Sequence, residues 1–279
     1  MKLENLVIKT DNYRASIQGL DEKEFPIIPS IEQKKEYVEL DGEVFKETLL
    51  KTVVASEVSD LRPEISGVLL VVEPSMLKVV ATDSFRLAEA TLSGESMKNT
   101  FDKGFKITIP LKTAQELARI LGDKEKVRFF TDETQIVFES ESLKLVSRVI
   151  DGKFPDYDAI IPKDIDTKVV VSREELISGI KLAGSFAGRN SEVVVSVKDG
   201  KVLEIYSGDS HIGENKYIIP AKASGPEMEI AFNWQYLLEG IRNEDSKDVI
   251  LGLNGEESPT VIRSTEDSNY FYILMPIKA

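Results

Sequence analysis

The chain has 279 residues, of which 42% are hydrophobic and 30% are charged, a composition typical of a globular protein with two or more hydrophobic cores. It contains no cysteine and one histidine, which excludes disulfides, thiolate nucleophiles and cysteine-type zinc sites and makes serine–histidine hydrolysis improbable. The formal charge of −13 argues against nucleic-acid binding over the whole surface, although it allows a segregated basic face.

The sequence has no apolar run that approaches the roughly 18 residues needed to span a bilayer. Glu4 and Lys9 interrupt the short apolar run at the N-terminus, which is wrong for a secretory signal. We therefore expect a cytoplasmic protein. The single histidine, His211, lies in the polar run SGDSHIGE, which predicts an exposed position between strands.

The first elements in chain order predict a β-hairpin. Residues 7–10 and 13–18 alternate around the turn residues Asp11-Asn12. The segment LDEKEFPIIPSI comes next, and its Phe25-Pro26 ending has a counterpart later in the chain at Phe154-Pro155. The chain is therefore expected to start within a domain related to the later ones.

Two amphipathic helices, each succeeded by a hairpin, indicate that one plan is used twice. Apolar residues recur at helical spacing in residues 43–58, after Asp41, and again in residues 176–188, after a capping-box pattern of Ser172 and Glu175. Four strands are predicted after these helices, in two pairs joined by tight turns: Gly67 to Val72, Met76 to Ala81, Glu192 to Val197 and Lys201 to Tyr206.

A second helix and three more strands are predicted in each half. One helix spans Pro110 to Leu121, with proline at its start, and the other begins after Asn233, a favourable N-cap. We align Phe154-Pro155 at the end of the first half with Met275-Pro276 at the end of the second. The long spacing between the copies predicts duplicated domains rather than a solenoid.

Residues 145–162, LVSRVIDGKFPDYDAIIP, predict the connection between the two domains. An alternating strand runs into an Asp151-Gly152 turn, and two prolines stiffen the segment after the turn. This connector is too apolar for a flexible linker. Its side chains must be buried by both flanking domains or form a surface that something else covers.

Three segments together resemble the bacterial sliding clamp, the beta subunit of DNA polymerase III. They are ATDSFRLA (residues 81–88), SRVIDGKFPDYDAIIP (residues 147–162) and YFYILMPIKA (residues 270–279). The likeness extends over the whole chain and implies an α+β DNA-clamp fold, in which each repeated domain packs two helices on antiparallel sheets. It implies that residues 1–33 are the C-terminal remnant of the first clamp domain, 34–158 the second domain and 159–279 the third.

The resemblance implies a processivity factor rather than an enzyme, with no cofactor and no metal. In the family, two head-to-tail subunits close a ring around duplex DNA, contact its backbone without reading sequence, and tether the replicative polymerase. The implied partners are duplex DNA and peptides of the polymerase and the clamp loader.

The family also binds short partner peptides in an apolar groove between the second and third domains. Matching motifs place in this groove Thr82, Ser84, Phe85, Arg86, Leu87, Pro155, Ile160, Ile273, Met275, Pro276 and Ile277, bordered by Arg62, Ile65 and Pro259. A methionine-containing groove can adapt to varied peptides. The alternative interpretation is that these residues form ordinary interdomain core.

Basic residues on three of the four predicted helices are the candidate contacts to DNA phosphates. They are Lys46, Lys51, Lys112, Arg119, Arg173, Lys181 and Arg189. The alternative for each is a purely solubilising role. In the loop around Leu61 and Arg62, where some family members carry aromatics that touch DNA, this chain has Pro63 and Glu64, so a DNA role for that loop is doubtful.

At the groove itself, this chain has Ser84-Phe85 where the family often has Gly-His, which predicts a bulkier and more apolar wall. Two other functions stay open. One is a carboxylate-dependent hydrolase that uses Asp83, Asp151 and Asp156, although aspartate in such settings is common in turns. The other is an acidic scaffold that binds peptides but never surrounds DNA. No GxxxxGK[ST] phosphate loop occurs in the sequence.

The resemblance also predicts how the chain associates. Each ring interface in the family joins the first domain of one subunit to the third domain of the other, and the chain resembles only the tail of the first domain. We therefore expect this polypeptide alone to be monomeric or weakly associating, while it keeps peptide binding. Sedimentation velocity checks this expectation, and a tight, ring-sized dimer would contradict it.

Overall fold

The computed structural model describes residues 5–25, 31, 35–122 and 124–278. Within these residues lie four α-helices: α1 (Gly42–Val53), α2 (Leu111–Ile120), α3 (Arg173–Gly184) and α4 (Trp234–Arg242). None of these described helices is long and apolar enough to cross a membrane.

The strands fall into an N-terminal hairpin and two series of similar length. The hairpin and first series are β1 (Leu6–Lys9), β2 (Arg14–Ile17), β3 (Val38–Asp41), β4 (Gly67–Glu73), β5 (Met76–Thr82), β6 (Arg86–Ser93), β7 (Met97–Asn99), β8 (Phe105–Pro110), β9 (Lys126–Thr131), β10 (Gln135–Glu139) and β11 (Lys144–Arg148). The second series is β12 (Thr167–Ser172), β13 (Glu192–Lys198), β14 (Val202–Asp209), β15 (Gly213–Ser224), β16 (Met228–Asn233), β17 (Asp248–Leu253), β18 (Thr260–Ser264) and β19 (Tyr270–Leu274).

Within the part of the chain that the structure describes, the paired strands are all antiparallel and form three sheets. β1 and β2 pair only with each other, and a five-stranded sheet has the order β11-β10-β9-β3-β7. The third sheet has twelve strands in the order β16-β13-β14-β15-β12-β17-β18-β19-β6-β5-β4-β8. Four helices on large antiparallel sheets confirm the predicted α+β clamp fold.

The two halves repeat one plan, as the sequence predicts. A strand, a helix and a hairpin (β3-α1-β4-β5) correspond to β12-α3-β13-β14, and α2 with β9 to β11 corresponds to α4 with β17 to β19. A hydrogen bond from the amide of Ile150 to the carbonyl of Thr108 (2.8 Å) has its counterpart between Ile277 and Ala231 (2.8 Å). Ile277 is therefore the structural equivalent of Ile150.

This equivalence corrects the alignment of the two domain ends. Met275 directly succeeds β19, whereas Phe154 lies well past the end of β11 at Arg148, inside the connector. The predicted alignment of Phe154-Pro155 with Met275-Pro276 is therefore wrong. A hydrophobic residue before a proline occurs at both places, but this pattern does not determine strand register.

Local sequence explains where the helices begin. The side chains of Asp41, Ser172 and Asn233 accept hydrogen bonds from the amides of Glu43 (3.1 Å), Glu175 (3.5 Å) and Gln235 (3.0 Å), which satisfies donors that a helix start leaves free. The end of α1 is less predictable. The helix stops at Val53 rather than at residue 58, because the consecutive β-branched residues Val53 and Val54 weaken it.

The main core fills the space between the helices and the sheets. Phe45 of α1 packs on Phe138, with ring centroids 6.2 Å apart, and Phe129 packs on Phe138 at 5.7 Å. In the second half, a Cβ at Gly240 of α4 would lie 2.5 Å from the ring of Tyr272. Glycine is required there because the helix and the strand approach so closely.

The two domains are joined by main-chain pairing between β6 and β19. Leu87 is registered with Ile273 and Ala90 with Tyr270, so one sheet runs through both domains. On the helix side of this seam, the hydroxyl of Tyr270 donates to the carbonyl of Lys51 (3.2 Å), and the ammonium of Lys51 contacts Asp245. The seam is thus fixed by backbone pairing and by side chains.

A buried acid lies near this seam. Glu244 is 1% exposed, and its Oε1 has no hydrogen-bond partner among the residues that the structure describes. Burial raises the pKa of Glu244 to about 8, with Lys51 acting in the opposite direction and Asp245 and Asp267 adding to the rise. The folded protein therefore holds this side chain neutral at pH 7.

We expect Glu244→Gln to stabilise the protein in a pH-dependent way. The pKa of this carboxyl rises from an ordinary 4.5 to about 8 in the fold, so the native acid loses stability as pH rises from 4.5 to 8 and no further above that. The variant should gain as much as about 5 kcal/mol at pH 8.5 and little at pH 4.5. Urea unfolding at both pH values measures this, and an equal effect at the two would contradict it.

Candidate functional site

The turn between β5 and β6 is fixed by its own polar side chains. Asp83 accepts hydrogen bonds from the amides of Phe85 (2.9 Å) and Arg86 (3.0 Å), and the hydroxyl of Thr82 donates to the carbonyl of Arg86 (2.7 Å). Ser84 has φ of 81°, a left-handed conformation that costs a non-glycine residue about 1 kcal/mol or more. The result is a rigid turn that presents Phe85 with 62% of its surface exposed.

Arg86 ties this turn to helix α4. Its Nε donates to Asp83 (2.9 Å), its Nη1 contacts Glu239, and its guanidinium carbon lies 4.0 Å from the ring centroid of Tyr236. Burial opposes the charge on Arg86, but Tyr272, Glu239 and Asp83 outweigh it and raise the pKa. The side chain is therefore a permanently charged, nearly buried link between the two domains.

Three of the predicted groove residues lie in the floor of the seam. Ile65, Leu87 and Ile273 are buried in one apolar cluster with Phe154 and Tyr157 of the connector. For these three, the interpretation as interdomain core describes their burial correctly. They can support a bound chain only from beneath the surface.

The connector is both buried and exposed, so it satisfies the two alternatives that its apolar sequence left open. Phe154 and Tyr157 are buried and pack edge-to-face, with ring centroids 6.3 Å apart. Residues Tyr157–Ile160 form a 3-10 turn, and Ile160 at its end is 44% exposed. Pro155 is half-buried. The turn therefore raises one apolar side chain above the buried floor.

The chain end lies beside the turn between β5 and β6. The amide of Met275 donates to the carbonyl of Phe85 (2.8 Å), which continues the β6–β19 pairing into the turn. Met275, Pro276 and Ile277 are half-buried, as is Pro259, which precedes the registered pair of Thr260 and Leu274. These apolar side chains are neither sealed in the core nor fully solvated.

Arg62 closes the edge of this site next to the turn. Its Nη1 donates to the hydroxyl of Ser84 (2.6 Å), and its Nε lies 3.4 Å from Glu64. Backbone pairing thus brings the turn of residues 82–87 together with Ile273 and Met275. Arg62, Ile65 and the connector lie alongside. We name this site the seam groove.

Sequence reasoning missed two residues of the seam groove. Tyr236 and Glu239 lie one helical turn apart on α4 and both contact Arg86. Their spacing places them on one helix face, and this signal is present in the sequence. No local pattern, however, indicates that this face meets a turn far away in the chain.

Several of the predicted DNA-facing residues bind within the protein. Lys51 contacts Asp245, Arg119 binds Glu116 (3.0 Å), and Arg173 donates to the carbonyls of Ile241 (3.2 Å) and Arg242 (2.7 Å). Lys112, Lys181 and Arg189 are exposed, and Lys46 is half-buried. The structure therefore assigns structural tasks to part of the predicted basic set.

Asp83 does not line the concavity that the other two aspartates of the hydrolase hypothesis share. Asp151 and Asp156 line a concavity of about 1380 Å³ beside β8 and the connector, and Asp83 is not among its lining residues. Asp83 instead caps its own turn and binds Arg86. This use of Asp83 matches the turn chemistry expected of aspartate.

Loss of Arg86 should destabilise the protein strongly. Arg86→Ala leaves the buried Asp83 carboxylate without its cation, and we expect a loss of about 3 kcal/mol in the free energy of unfolding. Arg119→Ala is the matched control, because Arg119 also binds a carboxylate three residues away but is exposed. Urea denaturation should show an unchanged midpoint for the control. Equal midpoints for both variants would refute a structural role for Arg86.

Two family models match the chain. The central domain of the DNA polymerase III beta subunit matches residues 39–156, and the C-terminal domain of the same subunit matches residues 158–278. A beta sliding clamp of Bacillus subtilis is 30% identical over 276 residues, which cover 98% of this chain and 72% of the relative. A beta sliding clamp of Synechococcus elongatus is 29% identical and covers 94% and 70%.

Solved structures agree with these sequence relatives. The crystal structure of the DNA polymerase sliding clamp from Bacillus subtilis superposes with a TM-score of 0.92 at 29% identity, over 100% of this chain and 73% of that one. The DNA polymerase III subunit beta from Pseudomonas aeruginosa, at 23% identity, has the same fold with a TM-score of 0.92. The chain belongs to the family of DNA polymerase III beta subunits, the beta sliding clamps.

Proposed function

We propose that this chain is a DNA sliding-clamp subunit, part of a ring that encircles duplex DNA and tethers the replicative polymerase. Its partners on this proposal are the DNA backbone, and peptides of the polymerase and the clamp loader that bind in the seam groove. Its role is to bind and to position rather than to catalyse. Family membership supports the clamp role, and the seam groove supports the peptide role.

The single observation that carries the peptide role is the layered construction of the seam groove. Leu87 and Ile273 form a buried apolar floor, while Phe85, Ile160 and Met275 leave apolar surface open above it. Exposed apolar patches next to fixed polar edges are typical of binding sites. The rigid turn and the Arg86 cluster reduce the entropy that binding would otherwise cost.

Exposed basic residues support the DNA role more weakly. Lys112 of α2, Lys181 of α3 and Arg189 just beyond α3 are exposed, on a chain whose net charge is −13. Contacts of this kind would act on phosphates without sequence preference, so they should be sensitive to salt. Such weak contacts fit a ring that holds DNA by encircling it.

A peptide titration tests the proposal. We expect a short peptide with a glutamine and then a leucine–phenylalanine apolar end to bind the wild-type chain, measured by fluorescence polarisation. Met275→Ala and Ile160→Ala should weaken binding by about tenfold, as loss of an apolar anchor does. Leu87→Ala should weaken it as well by removing part of the floor.

The matched control is Ile218→Ala, which removes an exposed isoleucine of β15 away from the seam groove. Its affinity should equal that of the wild type. Because Leu87 is fully buried, the unfolding midpoint of Leu87→Ala is measured in parallel. Unchanged affinity in both Met275→Ala and Ile160→Ala would remove the seam groove as the peptide site.

A further inference from the structure

A buried acid lies under the connector, on the outer face of the sheet. Glu89 of β6 is 4% exposed. It lies two residues after Leu87, so the two side chains share one face of the strand. Its register partners are Val80 on β5 and Phe271 on β19, which both belong to the apolar cluster beneath the connector. A charged group in such a position requires compensation.

Lys78 supplies part of that compensation. Its ammonium lies 3.2 Å from Oε1 of Glu89, and the lysine side chain is itself only 27% exposed. The second oxygen, Oε2, is buried and has no hydrogen-bond partner among the described residues. One acceptor of the carboxylate therefore remains available under the connector.

Tyr157 is the candidate donor for this acceptor. Its ring is buried in the same apolar cluster, and burial together with the nearby Glu89 carboxylate raises the pKa of its hydroxyl. The hydroxyl therefore stays protonated, and because a carboxylate only accepts hydrogen bonds, the hydroxyl is the donor in any bond between the two side chains. Tyr157 is also the first residue of the 3-10 turn Tyr157–Ile160 that presents Ile160.

We propose that Glu89 is a positioning residue that receives the Tyr157 hydroxyl and so holds the connector turn, with Ile160, in the peptide-binding position. This inference rests on the peptide role proposed for the seam groove. The carboxylate does not touch the peptide. It acts by keeping the connector turn in the binding-competent position. If only a fraction of the molecules has the turn in this position, the apparent affinity for the peptide falls in proportion to that fraction.

Three substitutions separate this role from simple packing. Glu89→Met keeps the volume but removes both acceptor oxygens, Tyr157→Phe removes only the hydroxyl, and Glu89→Gln keeps one acceptor oxygen. Glu89→Met and Tyr157→Phe should each speed amide exchange at residues 157–161 and weaken peptide binding about fivefold, as expected for one lost hydrogen bond. Glu89→Gln should stay within about twofold of the wild type.

Glu204 provides the matched control. It is a buried glutamate of β14 that binds Lys198 (3.2 Å) and Lys216 (2.7 Å), away from the connector. Glu204→Met should change neither exchange at residues 157–161 nor peptide affinity. The double variant Glu89→Met/Tyr157→Phe should resemble either single variant, because both changes remove the same bond.

Wild-type exchange and affinity in both Glu89→Met and Tyr157→Phe would overturn the inference, and so would an equal loss in Glu204→Met. Additive losses in the double variant would also contradict it. If no variant and not even the wild type binds peptide, the proposed peptide role fails, but faster exchange at residues 157–161 in Glu89→Met and Tyr157→Phe alone would still support the tie between these two residues.

Discussion

The antiparallel pairing of β6 with β19 is the contact on which the rest of the structure depends. It joins the sheets of two domains into one and registers Leu87 with Ile273. Each strand is already held by its own domain, so the seam stays rigid even where its outer surface is open to solvent. The connector covers one part of its outer face and leaves Ile160 above the remainder. We propose that the seam groove, as a peptide site, follows from this geometry.

Buried charge defines the shape of the groove more than it adds stability. Arg86 is surrounded by Asp83, Glu239 and Tyr236, and such clusters commonly contribute little net free energy because each ion loses its hydration. What they fix is geometry: the turn cannot rotate without breaking a charged contact. The left-handed backbone at Ser84 stores strain in the same turn, as is common at binding sites. Together they hold Phe85 outward.

The sequence was sufficient for features that depend on neighbouring residues. Caps at Ser172 and Asn233, and the helix-then-hairpin plan in both halves, arise from short-range periodicity and confirm the fold class. Features that depend on distant partners were missed or misjudged. Neither the contact of Tyr236 with Arg86 nor the use of Lys51 at the domain seam has a local signal. The family resemblance, by contrast, predicted residues on β6, the connector and β19, and β6 and β19 are strands that the structure pairs directly.

The most direct test of the seam groove is an NMR titration of methyl-labelled protein with the short peptide that carries a glutamine and a leucine–phenylalanine apolar end. The account predicts that methyl signals of Met275, Ile160 and Ile273 shift together and saturate at one peptide concentration, while Ile218 stays unchanged. Shifts centred instead on Ile107 and Ile150, which line the concavity beside β8, would contradict this prediction.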